Sequence, residues 1–272
     1  MKIKTHALYT RLAALVLLAG LLPSSANATE LTAREIMQKV QDRDTGDHGI
    51  SDMEMILIDK KGHQRSRKIR RYSKYQGEDK QTSLFFLTPA SVKNTAFLTY
   101  DYDDTEKDDD QWLYLPALRK SKRIASSDKS GSFMGSDFNY SDMTDKNLAA
   151  YTYKILKEAK VRGDKTWVIE AIPQTKKEIE ESGYKKSIIF VRQDNFVGVR
   201  ALHWVNKGKR MKYLDIKKLQ QIDGIWTATE MSMTSKEGKS TLHKTILKFS
   251  NVHYNQKLNK TTFSLRGIEK GL

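Results

Sequence analysis

The chain has 272 residues, a formal net charge of +15 at pH 7 and no cysteine. That length suits one large domain or two small ones, and the missing thiols exclude disulfide staples, thiolate zinc sites and an acylated lipoprotein cysteine. The cation excess favours polyanionic partners.

At the N-terminus Lys2, Lys4 and Arg11 precede the apolar run LAALVLLAGLL, and Ala26-Asn27-Ala28 follows it. A charged start, a short apolar stretch and an A-x-A site predict a signal peptide over residues 1–28, removed on export. The run is short for a bilayer span. Export without cysteine fits a bacterial periplasm, where residues 29–272 are expected to form a single soluble domain. Polyanions there are phospholipid head groups, lipopolysaccharide and acidic protein surfaces. An anionic membrane surface is therefore an expected partner, and nucleic acid is not.

Thr32 and Glu35 have the spacing of a capping box, and Ile36, Met37 and Val40 form an apolar stripe behind it. One helix is predicted there. Strands follow. Met53, Met55 and Leu57 alternate, residues 60–63 turn, and a second strand runs to Tyr72. That second strand, QRSRKIRRY, places Arg65, Arg67 and Arg71 on one face with Ile69, and Lys68 and Arg70 on the other. Cations on both faces suggest an edge or a projecting hairpin, or an arm that meets an anion or a partner. Residues 80–88, 95–102 and 111–115 read as further strands. The acidic run 101–110 between the last two reads as a solvated hairpin loop, because it lacks EF-hand spacing. Beyond residue 150, strands alternate with short polar turns. The fold class is mainly β (α+β): an antiparallel sandwich, barrel or open half-barrel.

Chemistry-bearing motifs are scarce. His48, His63, His203, His243 and His253 show no metal-ligand spacing. Phe133 stands where a G-x-S-x-G elbow needs its serine. No catalytic residue, metal or cofactor is expected.

The segment GSFMGSDFNYSDM, residues 131–143, has the glycines and polar residues of a loop, yet it carries Phe133, Met134, Phe138, Tyr140 and Met143. The least regular region runs from residue 118 to about 147 and includes this segment; a mobile lid there, over an apolar cavity, would need that composition, and methionine gives adaptable contact. Phe85, Trp112, Tyr114, Trp167, Trp204 and Trp226 recur in the strands and either line such a cavity or fill an ordinary core. Arg119 and Arg123 lie near the lid, placed to hold it or to meet a head group.

The block from residue 111 to 143 reads W-L-Y-L-P, then K-R-I, then F-M-G-S-D-F-N-Y-S-D. It resembles the outer-membrane lipoprotein-sorting protein family, relatives of the periplasmic lipoprotein carrier LolA. The resemblance implies an unclosed antiparallel β-barrel of about eleven strands with a few helices in or over its concave face. It implies a non-enzymatic carrier or chaperone that takes lipid or lipoprotein acyl chains into an apolar cavity and shuttles them towards the outer membrane. The partners it implies are an inner-membrane exporter of the resistance-nodulation-division type and an outer-membrane acceptor. The alternative is a lipid-sensing or lipoprotein-sensing module that docks on a membrane regulator.

Overall fold

A computed structural model describes residues 30–272, so the predicted signal peptide lies outside the described residues. Among these are thirteen strands: β1 (His48–Asp59), β2 (Gln64–Gln76), β3 (Asp79–Thr88), β4 (Ala96–Asp101), β5 (Asp110–Leu115), β6 (Lys120–Arg123), β7 (Tyr151–Val161), β8 (Asp164–Pro173), β9 (Tyr184–Arg192), β10 (Gly198–Val205), β11 (Arg210–Ile222), β12 (Ile225–Glu237) and β13 (Ser240–Tyr254). Helices α1 (Ala33–Gln41), α2 (Lys176–Ser182) and α3 (Leu265–Lys270) accompany them.

The strands form one sheet in the order β6-β5-β4-β3-β2-β1-β13-β12-β11-β10-β9-β8-β7. Chain neighbours pair antiparallel through tight turns; in the β1–β2 turn Gly62 takes a φ of +87° that a side chain would resist. One long-range pairing, β1 with β13, joins the two meanders. β6 and β7 do not pair with each other, so the half-barrel is unclosed. The strand count exceeds the expected one partly because β6 lies in a region that reads as irregular in the sequence.

β2 is an interior strand between β1 and β3, not the expected edge or arm. On the outer face Lys68 and Arg70 are tolerated because cross-strand carboxylates answer them. Asp52 lies opposite Arg70 and Glu54 opposite Lys68, and Arg70 Nε donates to Asp52 Oδ1 at 2.5 Å. On the inner face Arg67 Nη1 donates to the Met134 carbonyl and Arg71 Nη1 to Ser73 Oγ, so their part-buried heads are hydrogen-bonded.

One row of partners crosses the sheet: Ile169, Ile189, Ala201, Leu214, Met233, Thr245 and Leu57 are successively opposed. Opposed residues share a face, so this row marks one continuous inner face. Two separate pieces cover it. At the β7–β9 end lies α1, whose Ile36 and Met37 pack on Ile169 and Val191. The predicted capping box is present: Glu35 N–H donates to Thr32 Oγ1 at 3.2 Å and Thr32 N–H to Glu35 Oε2 at 2.8 Å. Over β1–β5, β12 and β13 lies the segment 131–143, whose Phe133 and Phe138 pack among Met55, Leu57, Phe86, Phe97 and Met233. The outer face of β3–β5 is covered by α3, where Ile268 packs on Phe85, Ala96 and Leu98.

Candidate functional site

The segment 131–143 is a plug built from short 3-10 turns, not a loose loop. Phe133 N–H donates to the Phe138 carbonyl at 2.8 Å, which folds the chain back on itself. Met134 and Gly135 make the reversal with φ of 51° and 74°. The reversal drives both phenylalanines down, and Phe133 and Phe138 are only 1% and 5% exposed. The Phe133 ring lies 5.0 Å from that of Phe97 and stands edge-on to Tyr140 at 5.5 Å. Met134, Tyr140 and Met143 pack against the same cluster.

Polar bonds hold the plug down. The buried Asp137 carboxylate accepts from Ser235 Oγ at 2.6 Å, His243 Nδ1 at 2.7 Å and Thr245 Oγ1 at 2.8 Å. Asn139 donates through Nδ2 to the Ser182 carbonyl at 2.9 Å and accepts through Oδ1 from Lys212 Nζ at 2.6 Å. Asp142 Oδ2 accepts from the Asn139 N–H and from the Tyr184 hydroxyl, both at 2.8 Å. Gln111 Nε2 donates to the Tyr140 carbonyl at 2.9 Å, and Arg67 Nη1 to the Met134 carbonyl at 2.6 Å. Burial, with Arg65 nearby, holds the Arg67 guanidinium below its ordinary pKa. Next to this network His203 stacks on Tyr184 at 4.5 Å, and burial pushes its pKa down to about 4.

The expected site residues divide between several places. Phe133, Met134, Phe138 and Tyr140 come together on the inner face. Trp167 stacks on Phe196 in the cluster beneath α1. Trp226 packs with Val199 and Ile216 in a further cluster, with Arg192 over its ring. Phe85, Trp112 and Tyr114 project from the opposite face, under α3, and do not line a cavity with the plug. Trp204 follows inner-facing His203 and so points outward, where Lys186 Nζ sits 5.0 Å from its ring. The reason is strand alternation: Phe86 and Leu113 took the inner positions, which turned Phe85, Trp112 and Tyr114 out.

The arginines divide likewise. Arg65 is exposed; Arg67 and Arg71 lie on the inner face with Ile69, and burial holds the Arg71 guanidinium below its usual pKa. Arg70 and Arg123 do not await an anion, because Asp52 and Asp110 already neutralise them. Arg119 sits exposed in the β5–β6 turn. Sequence reasoning missed Asp137, Ser235, His243 and Thr245. His243 and Thr245 share a face of β13 and Ser235 lies opposite His243, so their grouping was readable, but the carboxylate they serve lies 106 positions from His243.

The acidic loop is only partly solvated. It walls a polar cleft of about 860 Å³ that α1 and residues 144–150 also line. There Asp101 Oδ2 accepts from the Asp145 N–H at 2.8 Å, and burial with the charges of Asp145 and Asp109 pushes its pKa up to about 7. Among the described residues no group of three or more His, Asp or Glu is placed to hold a metal ion.

A family model described as an uncharacterized protein matches residues 78–270. The chain is also similar to a crystal structure of a domain described as an outer membrane lipoprotein-sorting protein from Vibrio parahaemolyticus. They are 32% identical over 87% of this chain and 98% of that one, with a TM-score of 0.78. This chain belongs to the outer-membrane lipoprotein-sorting protein family. A DUF1329 family protein from Desulfovibrio piger is 28% identical, over 87% of this chain and 97% of that chain, with a TM-score of 0.78. A LolA superfamily protein from Nitrosomonas europaea, 17% identical over 86% of this chain and 98% of that chain, shares the fold at a TM-score of 0.65. No match was found among curated proteins. In this member of the family, the block that carries the resemblance is the plug and the strand under it: Leu113 faces inward beside Phe97, and Phe133 and Phe138 close over both.

Proposed function

We propose that this chain is a non-enzymatic periplasmic carrier that holds the acyl chains of a lipid or lipoprotein on the inner face of its half-barrel. One observation carries the reading: an apolar plug with Phe133 and Phe138 at its centre covers the inner face over β1–β5, β12 and β13, and separate polar bonds tie it to the sheet and to α2. When such a plug lifts, it leaves an apolar surface of Met55, Leu57, Phe86, Phe97 and Met233. Burial of each phenylalanine stabilises the closed state by about 1.5–3 kcal/mol. An acyl chain gains about 0.8 kcal/mol per CH₂, roughly 10 kcal/mol for a long chain. Cargo can therefore displace the plug, and the plug can return to help expel it.

In this reading residues 1–28 direct export, and the carrier takes cargo beside an inner-membrane exporter for delivery towards an outer-membrane acceptor. Among the described residues no helix is long and apolar enough to cross a membrane. Native mass spectrometry of the protein purified from the periplasm tests the proposal. A stoichiometric lipid or acylated peptide is expected, with faster amide exchange in residues 131–143 when cargo is bound. A protein that is empty and also ignores added fatty acid, phospholipid and lipoprotein overturns it.

A further inference from the structure

Beside the plug opens a cleft of about 780 Å³ that the acyl-binding surface does not use. Helix α2 and the β10–β11 turn form its walls, and Ser130 and the plug residues Ser132 and Asn139 line it too. Five cations line it against two carboxylates, Glu180 and Glu181. Those carboxylates engage Lys176 and Lys177 on their own helix. Lys207, Arg210 and Lys212 remain, and among the described residues none of the three forms an ion pair with a carboxylate. Arg210 and Lys212 are two apart on β11, so they share a face. Lys212 Nζ spends its charge on a neutral acceptor, Asn139 Oδ1, at 2.6 Å.

Asn139 is where α2 clasps the plug. Its Nδ2 and the Ser141 hydroxyl both donate to the Ser182 carbonyl. A side chain at Gly183, whose φ is +77°, would meet Ser130 Cβ at 2.9 Å and Asn139 Nδ2 at 3.0 Å. The cleft, the clasp and the plug are therefore one mechanical unit.

We infer that this cleft seats a phosphate-bearing head group, and that the bound phosphate draws Lys212 away from Asn139 and so unlatches the plug; the inference rests on the carrier reading above. The three cations suit a polydentate dianion, and the cleft's hydroxyls and the Asn206 amide offer further donors. The volume exceeds a bare phosphate and leaves room for a head group. Burial lowers the Lys212 pKa while the charges of Asp142 and Asp137 oppose that shift, and a phosphate beside the amine would favour its charged form further. Head-group capture then precedes exposure of the apolar face, which orders loading: the anion docks first and the acyl chains follow.

The test titrates the purified protein calorimetrically with dihexanoyl phosphatidic acid and, separately, with inorganic pyrophosphate, and follows amide exchange in residues 131–143. The lipid is expected to bind and to speed exchange, with affinity falling about tenfold, or 1.4 kcal/mol, in the exposed double variant Lys207→Gln/Arg210→Gln. In Lys212→Met the same amides should exchange fast without ligand and gain nothing from it. The exposed pair keeps the test valid where Lys212→Met fails to fold. Unchanged affinity in the double variant, or unchanged exchange on binding, overturns the inference. Binding of pyrophosphate but not of the lipid marks a free-anion site and overturns it too. Fatty acid that still binds while phosphatidic acid ignores the cations leaves the carrier standing; loss of both ligands in the unsubstituted protein sinks the carrier reading as well.

Discussion

Asp137 in the plug accepts a hydrogen bond from His243 Nδ1 of β13 at 2.7 Å, and its carboxylate is almost wholly buried. Ser235 and Thr245 complete the cradle from the same two neighbouring strands. The contact ties the segment between β6 and β7 to strands near the other end of the chain. It anchors the plug to the strands that it covers.

Replacing Asp137 with alanine removes the acceptor of three donors, of which Thr245 is fully buried and Ser235 and His243 half-buried. The expected loss is about 3 kcal/mol of unfolding free energy, with earlier proteolytic cleavage within residues 131–143. Urea denaturation and peptide mapping read both. A variant as stable and as resistant as the unsubstituted protein would show that the cradle does not anchor the plug.

Phe133→Ala removes the ring at the centre of the inner cluster. Stability should fall by about 3–5 kcal/mol. Acyl affinity should nevertheless rise, because a weakened plug competes less for the same surface. Displacement of a fluorescent fatty acid measures it; weaker binding in the folded variant contradicts competition between plug and cargo.

His203 carries an acid sensitivity. Its folded pKa is depressed to about 4 by burial, below its ordinary 6.5. Its contribution to stability is thus fully present above pH 6.5 and is lost as pH falls towards 4. His203→Gln should flatten that part of the acid transition. Denaturant midpoints compared at pH 7 and pH 4.5 decide it, and identical pH slopes in the two proteins would rule the histidine out.

Asp101 acts in the opposite direction. Its pKa is raised to about 7 from 3.8, so the stabilisation of its protonated form is complete below pH 3.8 and lost as pH rises through 7. Asp101→Asn keeps an acceptor for the Asp145 N–H and removes the charge. The variant should be more stable than the parent at pH 8 and equal to it at pH 4, by thermal melting at both. A gain of the same size at both values would assign the effect to something other than ionisation.

Much of the fold depends on neighbours along the chain and was legible there. The capping box of α1, the alternation of β1, the polar turns and the unusual apolar content of residues 131–143 are local patterns. Periodicity and turn chemistry act over a few residues, so they survive in the bare sequence. The resemblance in the block 111–143 added the half-barrel.

What local patterns could not say is which face of a strand is inside when both faces are apolar. Leu84, Phe85 and Phe86 are all buried, and their directions follow from what covers each side. The plug covers one side, and the other is covered by α3, whose Ile268 joins the chain near its end. β2 reads as an edge because its cations have no visible partners until β1 is laid beside it and Asp52 meets Arg70. Asp137 reads as a loop aspartate until β12 and β13 supply its donors. Composition, class and the plug's apolar character belong to the sequence alone. Facing, pairing and anchorage were decided by tertiary structure, because burial and hydrogen bonding depend on distance in space and these partners are far apart along the chain.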